Sequence, residues 1–200
     1  MLKFRFWGVP AQISVPFCAA VCLICWFDRT GTMRACMAAA AVHELAHLAA
    51  MRLLHWAACE VRFTAWGIRL VRRERIPYPY GAECAVLLAG PAANLLLAAG
   101  FACAGRWTPG GAAQLSLGLF NLLPVTPLDG GQALHAALRR VLPLRRADRV
   151  ADFLTLAVLL PLMALLILQL LRQRMNWSLL ASVVYLMIFF VVNHGGTLAN

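Results

Sequence analysis

The sequence predicts an all-α membrane protein with about six transmembrane helices, a short β-hairpin at the membrane surface and a broken fourth helix. Of its 200 residues, 62% are hydrophobic and only 13% are charged, whereas soluble domains carry about 25% charged residues. Several apolar runs also approach the roughly 20 residues that a helix needs to cross a bilayer. We therefore expect a single transmembrane domain that covers residues 1–200.

Six apolar runs define the predicted helices. They cover residues 10–27, 35–54, 83–104, 112–138, 151–171 and 177–193. The fourth run is interrupted, because Pro124 and Pro127 lack an amide donor and clash with the preceding turn of a helix. Between the second and third runs, polar and apolar side chains alternate on both sides of Trp66 and Gly67. This alternation predicts a β-hairpin within residues 60–70.

The basic residues predict the orientation, because cytoplasmic loops of membrane proteins are enriched in lysine and arginine. With the N-terminus inside, thirteen basic residues fall on the inner side and five on the outer side. We therefore expect a multi-pass protein of the cell membrane with both termini in the cytoplasm. The inner residues are Lys3, Arg5, Arg52, Arg62, Arg69, Arg72, Arg73, Arg75, Arg139, Arg140, Arg145, Arg146 and Arg149, and the outer ones are Arg29, Arg34, Arg106, Arg172 and Arg174.

The net charge of +10 does not predict a nucleic-acid partner. Its basic residues are spread over the segments between apolar runs and form no single basic domain or tail, which charge-based recognition of nucleic acid requires. The expected partners are the lipid bilayer, a membrane-associated protein substrate and a regulatory membrane protein.

The second apolar run contains the most informative motif, an HExxH box formed by residues 43–47. Histidines at positions i and i+4 project from the same face of a helix, so His43 and His47 can bind one zinc ion. Glu44 is not placed to complete that pair, but it can take a proton from a metal-bound water. The box therefore predicts protease chemistry at membrane depth. Histidines that only join helices by hydrogen bonds are the alternative.

Asp129 is the best candidate for a third zinc ligand. It follows the break at Pro124 and Pro127, and irregular backbone at membrane depth is tolerated only where it lies in protein or lines a cavity. An ionisable residue at such a place is a functional-site hypothesis by default. The other acidic residues lie at the ends of apolar runs or in loops.

Three motifs give the chain a resemblance to the site-2 protease family of intramembrane zinc metalloproteases, close to its small bacterial sporulation-type members. The motifs are the box at residues 43–47, Ala-Gly-Pro-Ala-Ala-Asn at residues 89–94, and Asn-Leu-Leu-Pro-Val-Thr-Pro-Leu-Asp-Gly-Gly at residues 121–131. Two departures stand out. Ala46 occupies a position that is often glycine in the family, and the chain carries neither the PDZ nor the CBS domain of many members, so we expect no regulation through such domains.

The resemblance implies a role for each motif. It implies that His43, His47 and Asp129 bind Zn²⁺ and that Glu44 is the catalytic base. It further implies that the third span packs through its Gly-Pro and Asn94, and that the loop carrying Asn121, Pro124 and Pro127 lies beside the substrate. Asn94 is a further candidate for substrate binding, with a purely interhelical hydrogen bond as its alternative.

The expected activity is cleavage of a peptide bond in or near the transmembrane segment of a regulatory protein, by Glu-assisted attack of zinc-bound water. From the resemblance, anti-sigma or pro-sigma factors are the expected type of substrate. One alternative is a catalytically silent scaffold or chaperone, which would not require Glu44. Another is a metal transporter, but transporters commonly have repeated halves and no second copy of the motifs occurs.

The seven cysteines lie mostly within the apolar runs. Free cysteine is among the most buried residue types and behaves as a small hydrophobic side chain. We therefore expect these thiols to be buried, and nothing in their spacing predicts a metal site.

Overall fold

The structure, a computed structural model, is mainly helical and describes residues 2–6, 9–55, 60–64, 67–71, 79–172 and 176–195. Its chain divides into two units, Met1–Phe120 and Asn121–Asn200. The single domain predicted for residues 1–200 stays a prediction. The helices are α1 (Val15–Phe27), α2 (Thr32–Leu53), α3 (Tyr80–Cys103), α4 (Pro109–Asn121), α5 (Asp129–Val141), α6 (Leu144–Leu171) and α7 (Trp177–Gly195), and the strands are β1 (Leu2–Phe6), β2 (Val9–Ile13), β3 (Glu60–Thr64) and β4 (Gly67–Val71).

A four-stranded sheet in the first unit has the order β1-β2-β3-β4. Strands β3 and β4 pair antiparallel where the alternation at residues 60–70 predicts a hairpin. Trp66 lies outside the described residues, and the position of the hairpin at a membrane surface stays a prediction. Strand β2 runs parallel to β3 and antiparallel to β1.

The first apolar run was predicted as helix from residue 10, and this is wrong, since the helix begins at Val15. Residues 9–13 form strand β2 instead. In this segment Val9, Ala11 and Ile13 alternate with Pro10 and Gln12, which is the two-residue period of a strand. Hydrophobicity averaged over the run conceals that period.

Two helices among the described residues are long and apolar enough to cross a membrane, Tyr80–Cys103 and Leu144–Leu171. A shorter apolar helix covers Leu179–Val192. Helix α2 has 22 residues, but its polar residues lower its hydropathy. About six spans therefore stays a prediction.

Large apolar side chains on the outside of α6 and α7 suit a lipid environment. Leu160, Leu171 and Val192 are 65%, 75% and 67% exposed. Contiguous exposed apolar surface marks membrane or protein contact sites. The prediction of buried thiols is wrong for the same reason: Cys18, Cys22, Cys25, Cys36 and Cys103 are exposed, because an apolar helix can face lipid instead of protein.

Helices α2 and α3 form the apolar core of the first unit. Met51 on α2 and Val86 on α3 are buried against each other, with Ala50 and Ala82 packed around them. Small side chains at the interface allow helix backbones to approach closely. This close approach brings α3 within hydrogen-bonding distance of polar groups on α2.

Asp28 fixes the start of α2. Its carboxylate is 8% exposed and accepts from the backbone N–H of Arg34 at 2.9 Å and from the Thr30 hydroxyl at 3.2 Å. The Arg34 N–H holds the pKa of Asp28 below its ordinary value of 3.8. The charged carboxylate therefore stabilises the fold at neutral pH, and this contribution is lost as the pH falls through the lowered pKa.

The second unit packs α5 against α6 and α6 against α7. Leu159 on α6 and Val183 and Leu186 on α7 are almost completely buried. The segment at residues 122–128, between α4 and α5, is non-helical and includes the two prolines predicted to break the helix. Its Thr126–Pro127 peptide bond is cis, and the backbone N–H of Thr126 donates to the hydroxyl of Thr155 on α6 at 3.4 Å.

The first turn of α5 is built on two glycines that touch this non-helical segment. A Cβ atom on Gly130 would lie 2.4 Å from the Leu122 carbonyl oxygen, and one on Gly131 would lie 2.4 Å from the Val125 carbonyl carbon. Real Cβ atoms essentially never approach backbone so closely, so the segment would have to move. The two glycines therefore determine where α5 begins.

We predict that Gly131→Ala destabilises the protein, because the added methyl group overlaps the Val125 backbone. Overpacking of this kind typically costs about 1–3 kcal/mol. Thermal unfolding of the detergent-solubilised protein measures the effect. The matched control is Gly100→Ala in α3, where a Cβ meets nothing within 4 Å and where alanine should stabilise a helix by about 0.5–1 kcal/mol. Equal midpoints for the two variants would contradict the prediction.

Candidate metal centre

His43 and His47 lie side by side on α2, as the HExxH spacing predicts. They are 6% and 7% exposed, and their Nε2 atoms are 3.1 Å apart. The two rings meet edge to face, with an angle of 84° between their planes. Both Nε2 atoms therefore point into the same small volume.

A backbone carbonyl determines the tautomer of His47. Its Nδ1 is 2.7 Å from the carbonyl oxygen of Val86 on α3. A carbonyl oxygen only accepts, so Nδ1 must carry the hydrogen and donate it. In the neutral ring Nε2 then has a lone pair, which is the form that binds a metal ion.

An asparagine does the same for His43. The Nδ1 atom of His43 is 2.7 Å from Oδ1 of Asn94 on α3. The Nδ2 group of Asn94 donates to the carbonyl oxygen of Ala39 at 3.1 Å and to Oε1 of Gln114 on α4. These donations identify the Asn94 atom that faces His43 as the oxygen, so His43 Nδ1 also carries the hydrogen.

The two neutral rings therefore direct lone pairs at each other across 3.1 Å. This arrangement is repulsive unless a positive charge lies between the two nitrogens. Two histidine nitrogens at about 2.0–2.1 Å from a tetrahedral zinc ion lie about 3.3–3.4 Å apart. The donor atoms, their tautomers and their separation fit zinc.

Gly90 lets α3 approach the histidines. A Cβ atom at this position would lie 2.4 Å from His47 Nε2 and 2.8 Å from His43 Nε2. Only glycine therefore allows α3 to pass over the pair while Val86 and Asn94 reach the Nδ1 atoms. Gly90 and Pro91 are both buried.

The predicted base, Glu44, is half-buried on α2 directly after His43. Asp129, the predicted third ligand, belongs to the second unit and is the half-buried first residue of α5. The first turn of a helix favours negative charge, because its backbone N–H groups point toward the N-terminus. His43, His47 and Asp129 each offer a ligand atom of a type that zinc accepts. The catalytic and metal-binding roles of these residues stay predictions.

The predicted substrate-binding residues occupy two different environments. Asn121 ends α4, and Pro124 and Pro127 lie in the non-helical segment before α5, all half-buried. Their contact with a substrate stays a prediction. Asn94 is 0% exposed and its amide is engaged by α2 and α4, so the structure favours the interhelical alternative over substrate contact.

Gln114 is a polar residue of this site that the sequence analysis did not single out. It is 6% exposed on α4 and bonds Asn94. A signal was available, because an uncharged amide in an apolar helix requires a partner inside the protein. The sequence alone does not say which of the polar residues on other helices is that partner.

Comparisons with known proteins agree with this geometry. The family model described as peptidase family M50 matches residues 107–165. Among solved structures, the chain is similar to the site-2 protease from Methanocaldococcus jannaschii, with a TM-score of 0.61 and 18% identity over 92% of this chain and 91% of that chain. A search of curated proteins gives no match. The predicted resemblance to the site-2 protease family is confirmed.

We predict that Gly90→Ala prevents stoichiometric zinc binding, because its methyl group would occupy the space of both Nε2 atoms. Elemental analysis of the detergent-purified protein measures the zinc content. Gly100→Ala, on the same helix but with open space around its Cβ, is the control and should keep the zinc content of the wild type. Full zinc occupancy in Gly90→Ala would show that the histidine pair does not need this close approach.

Proposed function

Because the chain has the fold of a site-2 protease and matches peptidase family M50 over residues 107–165, we propose that it is an intramembrane zinc metalloprotease. The observation that carries this proposal is the buried histidine pair, with Nε2 atoms 3.1 Å apart and both Nδ1 atoms held by α3. Histidines that serve only to join helices would not need lone pairs directed at each other.

In this proposal His43, His47 and Asp129 hold the ion. Three protein ligands and one open position are typical of catalytic zinc sites. When bound, zinc polarises a carbonyl and lowers the pKa of a water ligand to about 7. The buried surroundings of the two histidines exclude other water from their Nε2 atoms.

Glu44 is the proposed general base. It follows His43 directly, so its side chain leaves α2 about 100° around the helix from that ligand. Its carboxylate accepts a proton from water as the water oxygen bonds to the peptide carbonyl carbon. The same carboxylate then returns the proton to the amine nitrogen as the C–N bond breaks.

The proposed substrate is a membrane-associated regulatory protein, of the anti-sigma or pro-sigma factor type that the family resemblance implies. A transmembrane helix resists hydrolysis because all of its amides are bonded internally, so the substrate has to unwind locally. The hairpin β3–β4 and the segment with Asn121, Pro124 and Pro127 offer non-helical backbone for an extended chain. A regulatory membrane protein that controls access is part of the proposal.

We predict that Glu44→Gln abolishes cleavage but retains about one zinc ion per chain, because the residue acts on water and does not ligate. Loss of a positioned general base typically lowers the rate about 10²–10⁴-fold. Quantitative mapping of new protein N-termini in membranes of cells that express each variant measures cleavage. Glu83→Gln on α3 makes the same chemical change away from the histidines and should leave cleavage intact.

Further variants in this assay separate the proposed roles. Asp129→Asn should lower the zinc content, because it removes a charged ligand, whereas Asn121→Ala should slow cleavage at normal zinc content. If Glu44→Gln gave the N-termini of the wild type, the protease proposal would be wrong and a scaffold that retains the fold would remain. Zinc bound in a His43→Ala/His47→Ala variant would rule out this metal site.

We also propose a multi-pass orientation in which both termini and residues 139–149 face the cytoplasm. The distribution of arginine and lysine supports it. Arg145 and Arg106, both exposed, fall on opposite sides of the membrane in this proposal.

The orientation predicts that a membrane-impermeant maleimide labels Arg106→Cys in intact cells and labels Arg145→Cys only after permeabilisation. Both variants are made in a background whose native cysteines are replaced by serine, because several of those thiols are exposed. The opposite labelling pattern would invert the topology.

A further inference from the structure

Gln114 is a buried amide on α4 that does not touch either histidine but contacts the residue that holds His43. We propose that Gln114 is a positioning residue that keeps His43 in its metal-binding tautomer by fixing the orientation of the Asn94 side chain. The inference rests on the proposed metal site and adds a residue to it that no motif identifies.

The orientation of Asn94 decides whether His43 can bind a metal. With Oδ1 toward His43, as observed, the ring carries its hydrogen on Nδ1 and has a lone pair on Nε2. With the amide turned over, Nδ2 would face the ring and Nδ1 would have to accept. The hydrogen of a neutral ring would then lie on Nε2, and His43 would offer no lone pair to a metal.

Two acceptors select the observed orientation. One hydrogen of Nδ2 goes to the Ala39 carbonyl at 3.1 Å and the other goes to Gln114 Oε1. If Asn94 turned over, its Oδ1 would face these two oxygens with no hydrogen between them. Because Asn94 is 0% exposed, bulk water is not at hand to satisfy either group.

The packing of α4 on α3 brings Gln114 to this position. Gly118, one turn along α4 from Gln114, lies so close to α3 that a Cβ atom there would be 3.2 Å from Asn94 Cβ and 3.0 Å from Leu95 Cγ. Residues four apart lie on the same helix face, so the close approach at Gly118 presents Gln114 to the Asn94 amide.

The two histidines differ in what holds them. His47 is bonded to the backbone carbonyl of Val86, which no substitution removes. His43 depends on two side chains in series, Asn94 and then Gln114. The zinc affinity should therefore be sensitive to Gln114 even though this residue is not a ligand.

The test compares zinc affinity, measured by chelator competition on the purified full chain in detergent, between two substitutions of similar size. Gln114→Met removes the acceptor oxygen and should raise the Kd for zinc about 10- to 100-fold, as loss of groups that orient metal ligands does. Gln114→Glu keeps an acceptor oxygen and should not weaken binding. Gln169→Met on α6 is the matched control and should bind as the wild type does.

A double-mutant cycle distinguishes positioning from general packing. Because Gln114 acts through Asn94, Gln114→Met should have no further effect on the Kd in an Asn94→Ala background. The absorption spectrum of the cobalt-substituted protein provides a second readout. It should lose intensity at a fixed metal concentration in Gln114→Met and recover it in Gln114→Glu.

The outcomes are distinct. An unchanged Kd in Gln114→Met, or an equal loss with and without Asn94, would overturn the positioning role while leaving the zinc site intact. Should Gln114→Met not purify in folded form, Gln114→Asn takes its place: its shorter amide cannot reach Asn94, so it should show the same loss, and wild-type affinity would overturn the inference. Absence of zinc binding in the wild type, or zinc retained by His43→Ala/His47→Ala, would instead overturn the proposed metal site.

Discussion

The histidine pair on α2 depends on one physical constraint: two buried imidazole nitrogens face each other at 3.1 Å, and both carry lone pairs because α3 engages the opposite side of each ring. A histidine at position i+4 is easily placed by any helix. Fixing both tautomers in a buried environment is more demanding, since each Nδ1–H needs an acceptor that cannot change its role. The Val86 carbonyl provides this for His47, and the Asn94 amide provides it for His43.

Close contact between helices follows from this requirement. An acceptor on α3 reaches an Nδ1 atom on α2 only if the two backbones nearly touch, and Gly90 is the residue at which they do so. The same device recurs at Gly118, where α4 meets α3, and at Gly130 and Gly131, where α5 meets the segment before it. The absence of a side chain at these positions places the polar groups of the neighbouring residues.

Much of this site could be predicted from the sequence because its signals are local. The i, i+4 spacing places His43 and His47 on one helix face, and Pro124 and Pro127 end a helix whatever surrounds them. The roles of Asn94 and Gln114 could not be predicted in the same way. Both are amides in apolar helices, and their partners are set by the packing of α2, α3 and α4, which the sequence pattern does not specify.

The errors in the fold have physical causes of the same kind. Strand β2 was taken as the beginning of a helix because an average over the run hides the alternation of Val9, Ala11 and Ile13. The cysteines were expected to be buried because soluble proteins bury thiols, whereas an apolar helix in a bilayer can expose them to lipid. In both cases the composition was read correctly, but the local period and the solvent decide the structure.

The apolar surroundings of α2 also explain why the site is so fully bonded. In water, an imidazole or amide that loses its protein partner is solvated at small cost. At membrane depth no such exchange is available, and an unpaired polar group is expensive. His43, Asn94 and Gln114 therefore form a continuous chain of donors and acceptors that ends on the Ala39 carbonyl. A chain of this kind has few alternative arrangements, so the low-dielectric environment that makes it costly to break also determines the tautomer of the histidine at its end.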